Sequence, residues 1–226
     1  MSLILNIETA TTVCSVALAD NEKIIGYKEL NEGYTHAENL HVFIRDVIKE
    51  AGINFSKLEA IAVSKGPGSY TGLRIGVSAA KGLAYALNIP LLSVETLQIM
   101  SHAVVKEPGT EAVYCPMIDA RRMEVYTAVY DSFLNLISSV NSLIVNDEAV
   151  QQFKIFSKIY FFGDGMPKCK SLLSELKNAE FIENIFPSSK FMPELSYKKF
   201  IEKKFEDTAY FEPYYLKEFL ILSKKI

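Results

Sequence analysis

Apolar residues open the chain in short runs rather than in one long block. Residues 3–7, 14–18 and 23–27 are apolar or alternate apolar with polar, and polar turns at 9–12 and 20–21 separate them, which predicts three consecutive strands. The period then changes. Leu40, Phe43, Ile44, Val47, Ile48 and Ala51 recur at steps of three and four, so a helix over 36–51 follows. Thr35-His36-Ala37-Glu38 reads as a capping box at its start, and Gly52 as its stop. A strand at 58–64, a Gly/Pro loop at 65–70, a long helix at 71–87, a strand at 91–94 and a helix at 95–105 complete the first half.

The second half restarts with strands near 112–118, 124–130 and 138–145. A short helix, a strand at 159–162 and a Gly163-Asp164-Gly165 turn opening another helix at Pro167 come next. Three strands, helix, strand, helix, strand is the order of one lobe of a ribonuclease-H-like or actin-like mixed sheet. The chain therefore predicts an α/β protein of two lobes, 1–107 and 108–226, the second echoing the first in element order, with the boundary near Pro108-Gly109.

Composition fits this picture. Hydrophobic residues make up 49% of the 226 residues and charged residues 23%, enough apolar material for two cores. Basic and acidic residues number 24 and 27, a net charge of -3, and only Arg45, Arg74, Arg121 and Arg122 are arginine. Such a chain is no self-sufficient nucleic-acid binder. Cys14, Cys115 and Cys169 stand far apart with no disulfide spacing, and no signal-like or membrane-length apolar stretch occurs, so a reduced cytoplasmic protein is expected.

Several segments have the residue types for chemistry. Glu8-Thr9-Ala10-Thr11-Thr12, between the first two strands, pairs a carboxylate with hydroxyls that suit hydrated Mg²⁺ and phosphate oxygens; a plain hairpin turn reads equally well. Gly163, Asp164 and Gly165 precede a helix whose first N–H groups suit an anion, or form a structural turn. The stretch from Lys65 to Gly76 lacks the Walker A spacing. Beyond it Gly72, Gly76, Ala80 and Ala84, with Ala79 and Gly82 beside them, form a ridge of small side chains, suited either to packing within the chain or to a subunit interface. His36 and His41 lie about 140° apart around a helix, too far to share a metal ion. Asp119-Ala120-Arg121-Arg122 is either a salt-bridged turn or a ligand-facing loop, and the lysines at 198, 199, 203 and 204 alternate with glutamates as a solvated helix face.

Taken in order, residues 4–11, Cys14-Ser15-Val16-Ala17-Leu18, Gly66-Pro67-Gly68-Ser69-Tyr70-Thr71-Gly72-Leu73-Arg74-Ile75-Gly76, Asp119-Ala120-Arg121 with Glu124-Val125-Tyr126, Gly163-Asp164-Gly165 and Pro213-Tyr214-Tyr215-Leu216 closely resemble the TsaB (YeaZ) family. The resemblance implies a two-lobed actin-like ATPase fold. It also implies a noncatalytic scaffold or activator that binds a TsaD-like protein, with a TsaE-like P-loop ATPase, to make N6-threonylcarbamoyladenosine at position 37 of tRNAs reading codons that begin with A. Two departures stand out: Glu8 replaces the family's usual Asp, and Lys217 its usual Arg.

On this reading there are no catalytic and no metal-ligating residues. The helices at 36–50 and 72–87 are the partner surface, with His36, Leu40, Phe43, Val47, Gly72, Leu73, Gly76, Ala79 and Ala80 as its expected contacts, and the chain homodimerises through it when the partner is absent. Glu8, Thr9, Thr11, Thr12, Gly163, Asp164 and Gly165 are candidates for weak ATP or ADP and Mg²⁺ binding at the inter-lobe cleft or the partner interface. Contact with tRNA is expected only through the assembly. An active small-molecule kinase or ATPase of the actin-like superfamily is one alternative, and a purely homodimeric scaffold with no tRNA connection is another.

Overall fold

The computed structural model describes residues 2–33 and 35–217. Its first sheet contains β1 (Leu3–Glu8), β2 (Cys14–Asp20), β3 (Lys23–Leu30), β4 (Ala60–Gly66) and β5 (Leu91–Glu95), in the order β3-β2-β1-β4-β5. The first three strands meander antiparallel, and β1, β4 and β5 run parallel through α1 (His36–Glu50) and α2 (Tyr70–Leu87). β1 is buried along its whole length because both faces are covered. Leu3, Leu5 and Ile7 point toward α1 and α2, meeting Leu40, Ile44, Val47 and Val77; Ile4 points to the other face with Ala60, Ala62 and Val94.

The second sheet repeats that plan with β6 (Val113–Asp119), β7 (Glu124–Tyr130), β8 (Leu136–Ile144), β9 (Ile159–Phe162) and β10 (Ala179–Ile182), ordered β10-β9-β6-β7-β8. One face packs on α4 (Asp147–Gln151) and α5 (Met166–Leu173) through Val150, Met166, Cys169 and Leu173. The other face packs on α3 (Thr96–Val104), whose Leu97, Met100 and Val104 meet Tyr114, Ile118 and Phe162 while Ile99 turns into the first lobe. One helix thus serves two cores. Two mixed sheets of matching order, flanked by helices, are the actin-like architecture that the element order predicted.

After β10 the chain returns to the first lobe. α6 (Pro193–Ile201) lays Leu195 against the β1–β4–β5 face, and Glu206 bridges to Leu91 on the open edge of β5. The segment from 207 to 217 then runs as a strap. Lys81 Nζ donates to the carbonyls of Ala209 and Phe211, Phe211 packs against the first core, Tyr214 N donates to Lys65 O at 2.7 Å, and the Tyr215 ring lies 4.7 Å from that of Tyr70. Lys217 pairs with Glu124, so the strap ties the first lobe to the second. The pattern along the sequence predicted neither β10 nor this return.

Helix ends differ in one respect from expectation. Thr35 makes no side-chain cap on α1, so the capping box is not formed; Ser69 instead caps α2, accepting from Gly72 N. A proline-glycine turn before the helix brings Ser69 into the extended backbone that a cap needs.

Candidate functional site

The turn between β1 and β2 faces inward. Glu8 is fully buried; its Oε1 accepts from Ala10 N at 2.6 Å and from Ser64 Oγ at 2.9 Å, while Oε2 has no hydrogen-bond partner among the described residues. Burial pushes the carboxyl from its ordinary value of 4.5 up to about 7, outweighing those hydrogen bonds. Thr9, also buried, donates its hydroxyl to Gly72 O at 2.8 Å, and His36 Nε2 donates to Thr11 O at 2.7 Å. Burial holds the His36 imidazole below its usual pKa and so favours the neutral ring with its proton on Nε2.

The Gly66-Pro67-Gly68-Ser69 loop closes over this turn. Ser69 N donates to Ala10 O at 2.6 Å, and a side chain at Gly68 would come within 2.3 Å of that same carbonyl. The ridge on α2 belongs to the same contact: a Cβ at Gly72 would lie 2.1 Å from Thr9 O, and one at Gly76 2.2 Å from Thr9 Oγ1. Glycine here serves close approach of a helix to a turn. The ridge therefore packs within the chain, which corrects the expectation that it stays open for a neighbour.

That correction extends along both helices. His36, Leu40 and Val47 on α1, and Gly72, Leu73, Gly76, Ala79 and Ala80 on α2, are buried in the single chain, with Phe43 partly buried against the same core. The apolar periodicity located the faces turned toward the sheet. The outward faces carry Ala37, His41, Val42 and Arg45 on α1 and Thr71, Arg74, Ser78, Gly82 and Tyr85 on α2. Tyr85 is 83% exposed and Val42 38%, and nothing lies within 4 Å of where a Gly82 side chain would sit.

The nucleotide and Mg²⁺ candidates fare differently from expectation as well. Mg²⁺ needs several oxygen ligands and keeps part of its water shell. Around Glu8 the hydroxyl of Thr9 and the amide of Ala10 are committed to the chain itself, and Thr11 is buried; Thr12 bonds Asn31 on the surface. These residues do not fit a hydrated cation or a phosphate. Gly163-Asp164-Gly165 lies in the other sheet, after β9, and is closed in a similar way: Gly165 N donates to Met117 O, Met166 N to Gly163 O, and Asp164 Oδ1 accepts from Asp119 N at 3.1 Å. Gly163 has φ +106, and a Cβ there would lie 2.3 Å from Met117 O, so it is a packing glycine. No group of three or more His, Cys, Asp or Glu side chains suited to a metal occurs among the described residues.

The hairpin between β6 and β7 is the open counterpart. Asp119 pairs with Lys168, which also donates to Glu124 O, and Glu124 binds Lys217 and the Ser142 hydroxyl. These contacts hold the Glu124 carboxyl below its ordinary pKa, the Lys217 hydrogen bond most of all. Arg121 and Arg122 both have positive φ, 69° and 48°, and are exposed. Such a backbone costs a long side chain on the order of 1–3 kcal/mol per residue. Sequence reasoning found the arginines but not the lysines that take their expected carboxylates, because Lys168 and Lys217 come from α5 and the strap.

The family model described as TsaD, tRNA N6-adenosine threonylcarbamoyltransferase, matches residues 33–200, well over half of the chain. The tRNA threonylcarbamoyladenosine biosynthesis protein TsaB of Buchnera aphidicola subsp. Baizongia pistaciae is 30% identical, over 96% of this chain and 99% of that protein. The Escherichia coli protein of the same name is 37% identical over 56% of this chain, a stretch that spans 54% of its own length. A solved structure of YeaZ from Pseudomonas aeruginosa superposes with a TM-score of 0.79 at 28% identity, covering 96% of this chain and all of that one. With that agreement in sequence over nearly the full length and in fold over both lobes, the chain belongs to the TsaB (YeaZ) family.

Proposed function

We propose that this protein is a noncatalytic subunit in the synthesis of N6-threonylcarbamoyladenosine on tRNA, acting by association with a TsaD-like protein and, through that assembly, with a TsaE-like P-loop ATPase. Its relatives carry the name of that biosynthesis. The observation that carries the subunit reading is the outward face of α1 and α2. On α2, Ser78, Gly82 and Tyr85 are exposed at steps of four and three, which puts two small residues and an aromatic ring on one helix face, a combination that lets another helix pair come close and bury an aromatic anchor; Val42 is exposed on α1. In the absence of the partner, a second copy covers the same face. Catalysis by this chain alone is disfavoured because the turn carboxylate, Glu8, is buried and bonded to its own loop, out of reach of an attacking water. Contact with tRNA comes through the assembly, since the net charge of -3 offers little long-range attraction.

The test is association of the purified chain with the TsaD-family protein of the same organism by calorimetry. Ser78→Arg combined with Tyr85→Ala, both on the exposed face, is expected to keep the fold and weaken association at least tenfold. Unchanged affinity removes the helix face from the interface; no association by the wild-type chain overturns the subunit reading.

A further inference from the structure

The two lobes share one plan, so each feature of one has a positional counterpart in the other. The β6–β7 hairpin at 119–124 joins the first two strands of its sheet as the turn after Glu8 joins β1 and β2. The two have diverged in opposite directions. The first turn is sealed by the loop around Gly68, its polar groups spent inside the chain. The second projects into solvent, and its carboxylates are already paired: Asp119 with Lys168, Glu124 with Lys217. Arg121 and Arg122 sit at its tip, both in left-handed backbone, and among the described residues neither guanidinium is within ion-pair distance of a carboxylate.

A tip that needed only to turn the chain would be served by Asn-Gly, which takes that backbone without strain. Two arginines there place two forked cations side by side at the end of a rigid hairpin. Arg121 N donates to Asp119 Oδ1, and Glu124 N to Arg121 O, which fixes the direction in which they leave the sheet. Arginine's planar fork matches phosphate oxygens. The tip is exposed rather than recessed, which suits an extended polyanion more than an enclosed small molecule.

We propose that Arg121 and Arg122 form a contact for the phosphodiester backbone of RNA, a positioning point that orients the tRNA on the assembly. The inference rests on the tRNA role proposed above. The protein's acidic balance makes it a local contact of one or two phosphates, not a general RNA surface.

The test is fluorescence anisotropy with labelled tRNA, from 30 to 150 mM KCl, on the full chain alone and on its assembly with the TsaD-family protein. The variant Arg121→Asn with Arg122→Gly keeps the turn backbone while removing both charges. It is expected to bind tRNA three- to tenfold more weakly, with a salt slope smaller by about 1 to 2. Lys198→Gln with Lys203→Gln removes the same charge in the last turn of α6 and just beyond it, and is expected to change neither. The inference is overturned by an arginine variant indistinguishable from wild type, by equal losses in the two double variants, or by no tRNA binding in either preparation. It is also overturned if the arginine variant loses association with the protein partner while retaining tRNA affinity, which would make the tip a protein contact. Failure of the wild-type assembly to form counts against the proposed function and this inference with it, whereas an assembly that forms and binds tRNA equally well with and without the arginines counts against this inference alone.

Discussion

Replacing Glu8 with Gln should reshape the dependence of stability on pH. In the unfolded chain this carboxyl titrates near 4.5, and in the folded protein burial raises it to about 7. Between those values the native state holds a proton that the unfolded state has released, so stability falls as pH rises through this window and is level above it. A displacement from 4.5 to about 7 corresponds to about 3 kcal/mol. His36 acts in the opposite sense: its pKa is lowered by burial, so its contribution is lost as pH falls below its unfolded value of about 6.5. The whole-protein profile mixes the two, but a comparison of wild type with Glu8→Gln cancels His36. Glutamine retains an oxygen to accept from Ala10 N and Ser64 Oγ and carries no charge at any pH. Its amide donors would meet no acceptor where Oε2 now stands unpartnered, which offsets the variant by a constant of about 1–3 kcal/mol. Urea unfolding followed by circular dichroism at half-unit intervals from pH 4.5 to 8 gives the difference directly. The variant should gain about 3 kcal/mol relative to wild type across that range. Parallel profiles would mean that Glu8 is ionised in the fold without penalty, and the closed description of the first turn would be wrong.

The glycines of α2 should separate cleanly by position. Gly76→Ala drives a methyl into Thr9 Oγ1 and should destabilise by about 1–3 kcal/mol, whereas Gly82→Ala meets nothing and should stabilise by up to about 1 kcal/mol, both read by thermal unfolding. Along the strap, Phe211→Ala should cost about 2–3 kcal/mol because the ring packs against the first core, while Lys217→Gln, which removes a partly exposed ion pair, should cost less than about 1 kcal/mol. Equal effects of the two strap variants in denaturant titrations would mean that the strap is held by its ion pair rather than by its aromatic residue.

The strands and long helices were legible because their signal is local. Leu3, Leu5 and Ile7 alternate with Ile4 and Asn6 as a strand covered on both faces requires, and Leu40, Ile44, Val47 and Ile48 form the stripe by which α1 meets the sheet. The echo between the halves was legible for the same reason, and it emerges as two sheets with matching strand order. Long-range partners were not legible. Nothing near Glu8 in sequence announces Ser64, and nothing near Asp119 announces Lys168 or Lys217; these pairs exist only after β4, α5 and the strap have been placed.

The same limit explains why the residues expected at a partner interface lie on the buried sides of their helices. A ridge of Gly72, Gly76 and Ala80 states that something approaches closely, but not whether it is another protein or a turn of the same chain, because both need the same absence of side chains. Thr9 decides the matter here: its carbonyl and hydroxyl occupy the space that the missing side chains leave, and its hydroxyl bonds Gly72 O. Small residues on a buried face read as internal packing, and the surface that the helices leave exposed is the complementary one, where Ser78 and Gly82 are small and Tyr85 stands exposed. Charged residues follow the same logic. Arg121 and Arg122 are adjacent to Asp119 and Glu124 in sequence and would be paired with them on proximity alone, yet the lysines supplied by distant segments take both carboxylates and leave the arginines to face outward.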